Sequence, residues 1–158
     1  TAAGTPTLTF GNSSNQAFSG IIQNGSATSV TLTKQGIGAV TLSGSNTFSG
    51  NLNINDGTVK IGSAGDSIYS PLGNTTGRTI VASGATLDLN GYTLEATEPL
   101  TLSGTGYGSA GALTNSSSTA TTFSGLITLG GTATIKANSG NSIFNLALSN
   151  VIILASII

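Results

Sequence analysis

The sequence predicts an all-β chain folded as a β-solenoid, in which short strands joined by tight corners stack coil upon coil. Three observations carry this: apolar and polar residues alternate with a period of two, Gly-bearing corners arrive at short intervals, and one strand–corner–strand phrase recurs. The alternation is clearest in Val30-Thr-Leu32-Thr, Val40-Thr-Leu42, Leu52-Asn-Ile54, Val59-Lys-Ile61, Leu87-Asp-Leu89 and Leu100-Thr-Leu102. Side chains on a strand point to opposite faces in turn, so each segment reads as half-buried.

The corners between them are Gly36 and Gly38, Gly44, Gly50, Asn55-Asp56-Gly57, Gly62, Asn90-Gly91, Gly104 and Gly130-Gly131. No stretch is left for a helix. Sandwiches, barrels and solenoids all use short strands and regular turns, and internal repetition separates them. Phe-Ser-Gly occurs at Phe18, Phe48 and Phe123. Phe48-Ser-Gly-Asn-Leu-Asn-Ile, Asn55-Asp-Gly and Thr58-Val-Lys-Ile parallel Phe123-Ser-Gly-Leu-Ile-Thr-Leu, Gly130-Gly and Thr132-Ala-Thr-Ile. At roughly 20 to 25 residues per coil, the chain makes about six or seven coils within a single domain, 1–158. Residues 63–78 break the alternation and read as a surface excursion from one corner.

Composition narrows the function. Charged residues are only 6% of the chain, so Thr, Ser, Asn and Gly must solvate the surface. Cys, His, Met and Trp are all absent, which removes disulfides, thiolate and imidazole chemistry and the usual zinc and copper ligands. No catalytic residue, cofactor or metal is expected. With four basic and five acidic side chains there is no basic stripe for phosphates, so nucleic acid is not an expected partner. No apolar run approaches the length of a spanning helix, and no membrane insertion is expected of this segment. Thr1 follows no recognisable leader, so any export signal is expected to have been removed or to lie outside this sequence.

Residues 32–62, LTKQGIGAVTLSGSNTFSGNLNINDGTVKIG, resemble the autotransporter-associated β-strand repeat, whose usual form runs Leu-Thr-Lys-x-Gly-x-Gly-x-Leu-Thr-Leu-Ser-Gly-x-Asn-Thr-Tyr-Ser-Gly. The likeness continues through Pro71-Leu-Gly and Ser83-Gly-Ala-Thr-Leu-Asp-Leu-Asn-Gly-Tyr-Thr-Leu94, so residues 32–94 carry it best. Phe48 stands where Tyr is commoner, and Asp56-Gly57 where Gly-Gly is frequent. The resemblance implies a right-handed parallel β-helix, exported by a Gram-negative-like bacterium and held at the cell surface or released outside. Its implied role is a stiff structural stalk or filament subunit; the alternative is an adhesin module contacting glycan or a host surface.

Several patterns invite sharper readings. Stacked Asn, Ser and Thr offer a glycan surface, yet the same residues satisfy one another's hydrogen bonds coil to coil. Thr-x-Thr pairs at Thr7 and Thr9, Thr31 and Thr33, and Thr132 and Thr134 are too irregular in spacing for an ice-binding face. Asp56, Asp66 and Asp88 lack the periodicity of calcium-binding β-rolls. A polysaccharide-lyase reading would need Lys60, Arg78, Asp66 and Asp88 in one groove. A surface-contact role falls to the excursion, through Asp66, Tyr69 and Arg78, with Tyr69 or Tyr107 as an aromatic platform.

The ending Val151-Ile152-Ile153-Leu154-Ala-Ser-Ile157-Ile158 is apolar throughout, with no alternation and no charge. It reads as a strand buried on both faces, a strand donated to a neighbour, or a truncation scar. Solenoids ordinarily cap their ends with polar faces, and neither end here carries a cap. Head-to-tail association with copies of itself is therefore the expected partnership, through Val151, Ile152, Ile153, Leu154, Ile157 and Ile158.

Overall fold

The computed structural model describes residues 4–137 and the backbone pairing of residues 143–144. In chain order the strands are β1 (Thr7–Phe10), β2 (Gln16–Phe18), β3 (Thr31–Lys34), β4 (Ala39–Leu42), β5 (Leu52–Ile54), β6 (Thr58–Ile61), β7 (Tyr69–Ser70) and β8 (Gly73–Asn74). There follow β9 (Thr79–Val81), β10 (Thr86–Asp88), β11 (Leu100–Gly104), β12 (Leu113–Asn115), β13 (Thr122–Phe123), β14 (Ile127–Ala133), β15 (Ile135–Ala137) and β16 (Ile143–Phe144). The described residues hold no α-helix, only a single 3₁₀ turn at Tyr107–Ser109.

Two six-stranded sheets run the length of the molecule, in the orders β1-β3-β5-β9-β11-β14 and β2-β4-β6-β10-β12-β15. Every pairing within them is parallel. The chain lays one strand in the first sheet, turns a corner, lays one in the second and returns: a β-solenoid. Six strands per sheet make about five turns among the described residues, fewer than the six or seven expected. Leu8 stacks on Leu32, Leu32 on Leu52, Leu52 on Thr79, Thr79 on Leu100 and Leu100 on Ile127, so one turn takes 20 to 27 residues.

The alternation sets this register because a slip of one residue would turn every apolar side chain outward. β3 through β6 show it directly, with Leu32, Val40, Leu42, Leu52, Ile54, Val59 and Ile61 buried and the intervening residues half-exposed. The returns close the third side and bring Phe48, Leu72, Leu94 and Phe123 into the same core. Corners are glycine-rich where backbone crosses backbone. Gly36 has φ +74°, and a Cβ there would lie 2.6 Å from the Asn12 carbonyl oxygen of the preceding coil.

Three sequence expectations are corrected. Phe18-Ser-Gly is not the counterpart of Phe48-Ser-Gly: Phe18 lies in β2 and pairs with Leu42, so its equivalent is Leu42-Ser-Gly. Ser-Gly closes the second-sheet strand as well as preceding the first-sheet strand, which makes the two sites look alike. Gly130-Gly131 is not a corner but lies within β14, where Leu129 to Ala133 span what Leu102 to Gly104 do in β11. That bulge moves the last strand, so Ile135 rather than Ala133 enters the column of Val59, Leu87 and Leu113. Residues 63–78 are a surface excursion only at their tip: β7 and β8 form an antiparallel hairpin that returns Ser70, Pro71, Leu72 and Gly73 to the interior.

Candidate functional site

The hydroxyls and amides predicted to stack do so. Fully buried Asn46 ties three coils together: its Oδ1 accepts from Ile22 N at 2.8 Å, and its Nδ2 donates to Pro71 O at 2.7 Å. Asn24 accepts from Val30 N at 2.9 Å and Ser49 N at 3.1 Å, and Asn115 accepts from Gly91 N at 2.9 Å. Ser63 Oγ, Thr86 Oγ1 and Thr114 Oγ1 donate to carbonyls of neighbouring coils. Each satisfies main-chain groups that the irregular returns and corners would otherwise leave unpaired.

Of the four residues of the lyase-like reading, Lys60 and Asp88 come together, while Asp66 and Arg78 lie on other parts of the coil. Lys60 and Asp88 sit side by side on β6 and β10, with Nζ 3.0 Å from Oδ2. Asp88 also accepts from Ser116 N at 3.0 Å, Ser116 Oγ at 2.6 Å and Asn90 N at 2.9 Å. Burial would raise its pKa, but these hydrogen bonds prevail and hold the carboxyl below the usual carboxylate range. Asp66 turns its carboxylate onto the Ile68 and Tyr69 amides, both at 2.8 Å, and is held low by those bonds. Arg78 is exposed just before β9, in a different part of the coil. Asp56 accepts from Gly57 N at 2.7 Å. Among the described residues, no three acidic side chains gather as a metal site.

Of the proposed contact loop, Asp66 is exposed and Tyr69 half-buried in one tight turn, with Asp66 N donating to Tyr69 O at 2.7 Å. Ile68 is exposed between them. Tyr107 is exposed on a corner of its own. Residues 151–158 lie outside the described residues.

Two buried ionisable groups escaped the sequence reading. Lys34 takes the inward parity of Leu32-Thr-Lys34, and its Nζ donates to the carbonyls of Gln35 at 3.0 Å, Gly36 at 2.6 Å and Asp56 at 3.1 Å. Burial lowers its pKa, opposed by the Asp56 charge. Its place in an alternating strand was the available signal. Glu98 is buried on the return before β11; Thr79 Oγ1 donates to Oε1 at 2.9 Å, while Oε2, like Thr121 Oγ1, meets no partner among the described residues. Burial pushes its pKa up to about 8, against the Thr79 hydrogen bond.

The Lys34 cage, the Gly36 corner and the Asn46 bridge explain physically why a coil of this kind carries Leu-Thr-Lys-x-Gly and Ser-Gly-x-Asn. Residues 32–61 match the family model of the passenger-associated-transport-repeat. Over those residues the chain is similar to a passenger-associated-transport repeat. The match spans β3 to β6, a narrower stretch than the likeness read over residues 32–94. No curated protein and no solved structure matches the chain.

The repeat coils are closed above and below, but the first coil is not. β1 and β2 end their sheets among the described residues, each with one edge unpaired. Leu8 is 46% exposed where Leu32 beneath it is 0%, and Phe18 is 44% exposed where Leu42 beneath it is 1%. The inward side chains leave an apolar mouth of about 250 Å³, lined by Leu8, Phe10, Ala17, Phe18, Ile22 and Val40.

Proposed function

We propose that the chain is a structural segment of a secreted or surface-held bacterial protein, a rod that serves as a stalk in the manner of autotransporter passengers. The observation that carries this is the pair of continuous parallel sheets around one buried ladder, with the passenger repeat at its centre. With about 4.8 Å between stacked strands, five turns span on the order of 25 Å, and further coils extend such a rod without altering its cross-section. Its role is mechanical, not catalytic: polar side chains are spent on neighbouring coils, and Lys60 and Asp88 on each other.

Export and display test the reading. Placed between an export signal and an outer-membrane barrel, the chain should reach the outside of a Gram-negative cell and hold a distal tag accessible to antibody. Retention inside the envelope would contradict it. A second reading, glycan or host-surface binding, is favoured by the exposed tip Asp66–Ile68. Binding on a glycan array that is lost when the tip is replaced by Gly-Ser-Gly would support it.

A further inference from the structure

Alternation of apolar and polar residues forbids a coil from slipping by one residue against its neighbour, but a slip of two returns every side chain to its own face. Between β3 and β5 the inward residues Leu32, Leu52 and Ile54 are all aliphatic, so they discriminate little among the even registers. We infer that Lys34 makes that choice, as a buried clasp whose ammonium is satisfied in one register only. The inference goes beyond the mechanical reading and holds wherever the rod is displayed.

Three observations carry it. The first is the match of donors to acceptors: an ammonium has three N–H groups, and the fully buried Lys34 places them on the carbonyls of Gln35 at 3.0 Å, Gly36 at 2.6 Å and Asp56 at 3.1 Å. The second is where those acceptors come from. Gln35 and Gly36 belong to the corner that follows Lys34 and travel with it, whereas Asp56 belongs to the corner of the next coil, just past Ile54, the register partner of Lys34. A two-residue slip would carry the Asp56 carbonyl roughly 7 Å along the strand, out of hydrogen-bond reach, and leave a buried N–H orphaned. The third is the fit on the other side. A Cβ on Gly11 would lie 2.8 Å from Lys34 Cδ and 3.0 Å from Cε, so the stem lies hard against the corner of the preceding coil, which holds the ammonium in place. A lone buried polar group of this kind costs stability and confers register, as a buried Asn does in a coiled coil. The rival determinant is Gly57, where a Cβ would meet the Gly36 carbonyl oxygen at 2.5 Å and so fix the register by steric exclusion.

The chain has no cysteine, so engineered pairs report the register directly. Thr33→Cys with Asn53→Cys joins residues that pair in the observed register, whereas Thr33→Cys with Asn51→Cys or with Asn55→Cys joins residues that meet only after a two-residue slip in one direction or the other. Without a slip the latter pairs lie roughly 8 Å apart at Cα, too far for a disulfide. Each pair is oxidised in a thiol-disulfide exchange buffer in the full chain with Lys34, with Lys34→Met and with Lys34→Gln, which keeps two N–H donors, and circular dichroism checks folding. With Lys34 present the in-register pair should outcompete either slipped pair by about tenfold or more, the penalty of one orphaned buried donor. Lys34→Met should bring the pairs near parity, and Lys34→Gln should lie between. An intact chain without the preference would overturn the inference. An unchanged preference in Lys34→Met, or in Lys34→Gln where Lys34→Met does not fold, would overturn it and assign the register to Gly57. Failure of both variants to fold would overturn it as well, making Lys34 a requirement of folding and not a selector of register. None of these outcomes bears on export, which tests the mechanical reading separately.

Discussion

The first two coils place similar residues at equivalent ladder positions and treat them differently. Leu8 and Phe18 look out through an open mouth, whereas Leu32 and Leu42, one coil on, are sealed. The strands have the same parity and nearly the same lengths; what differs is a neighbour on the far side. Burial in this molecule is therefore a property of the stack, and a coil's stability is shared with the coils above and below it.

The largest contrast should come from the two phenylalanines. Phe48→Ala removes a fully buried ring and should cost about 3–5 kcal/mol in urea unfolding, while Phe18→Ala at the mouth should cost less than about 1.5 kcal/mol. Equal costs would mean that the first coil is closed in solution.

Glu98 offers a contrast with pH. Its folded pKa of about 8 lies above the ordinary 4.5, so its contribution is most favourable below pH 4.5. As pH rises the unfolded chain ionises first, and stability should fall across the window from 4.5 to about 8 and then level off. The total loss is on the order of a few kcal/mol. Glu98→Gln should flatten that slope; an unchanged slope in the variant would show that Glu98 is not its source.

Asp88 has the opposite sign. Its folded pKa lies below the ordinary 3.8, so its contribution is complete above that value and is lost as pH falls through the lower folded one. Asp88→Ala leaves the Ser116 and Asn90 amides without their acceptor and should cost roughly 2–3 kcal/mol at pH 7, and less once the pH falls below the folded pKa of Asp88. The smallest effect belongs to the outward face. Thr9→Val and Thr33→Val, stacked in register, should each change stability by within about 0.5 kcal/mol.

The repeat coils were legible because every cue agreed there: alternation in β3 to β6, glycines at the corners, and the repeat motif itself. β9 was not read as a strand because Thr79-Ile-Val inverts the pattern, with Thr79 buried and Ile80 half-exposed. An inward Thr is satisfied here by Glu98, a partner nineteen residues away that no local period reveals. Lys34 was hidden for a related reason, since its cage is built from carbonyls of two successive corners. The open mouth was visible only as missing charge and missing caps. Its apolar lining depends on β1 and β2 both facing inward over the same Val40 and Leu42.

Amide hydrogen exchange resolved along the chain, at a concentration where it is monomeric, tests the stacked-coil account most directly. Amides bonded across coils in the centre, such as Leu52 N to Arg78 O and Leu87 N to Ala112 O, should exchange only through global unfolding, and those of β1 and β2 orders of magnitude faster. Uniform protection from β1 through β12, or none in the central coils, would contradict it.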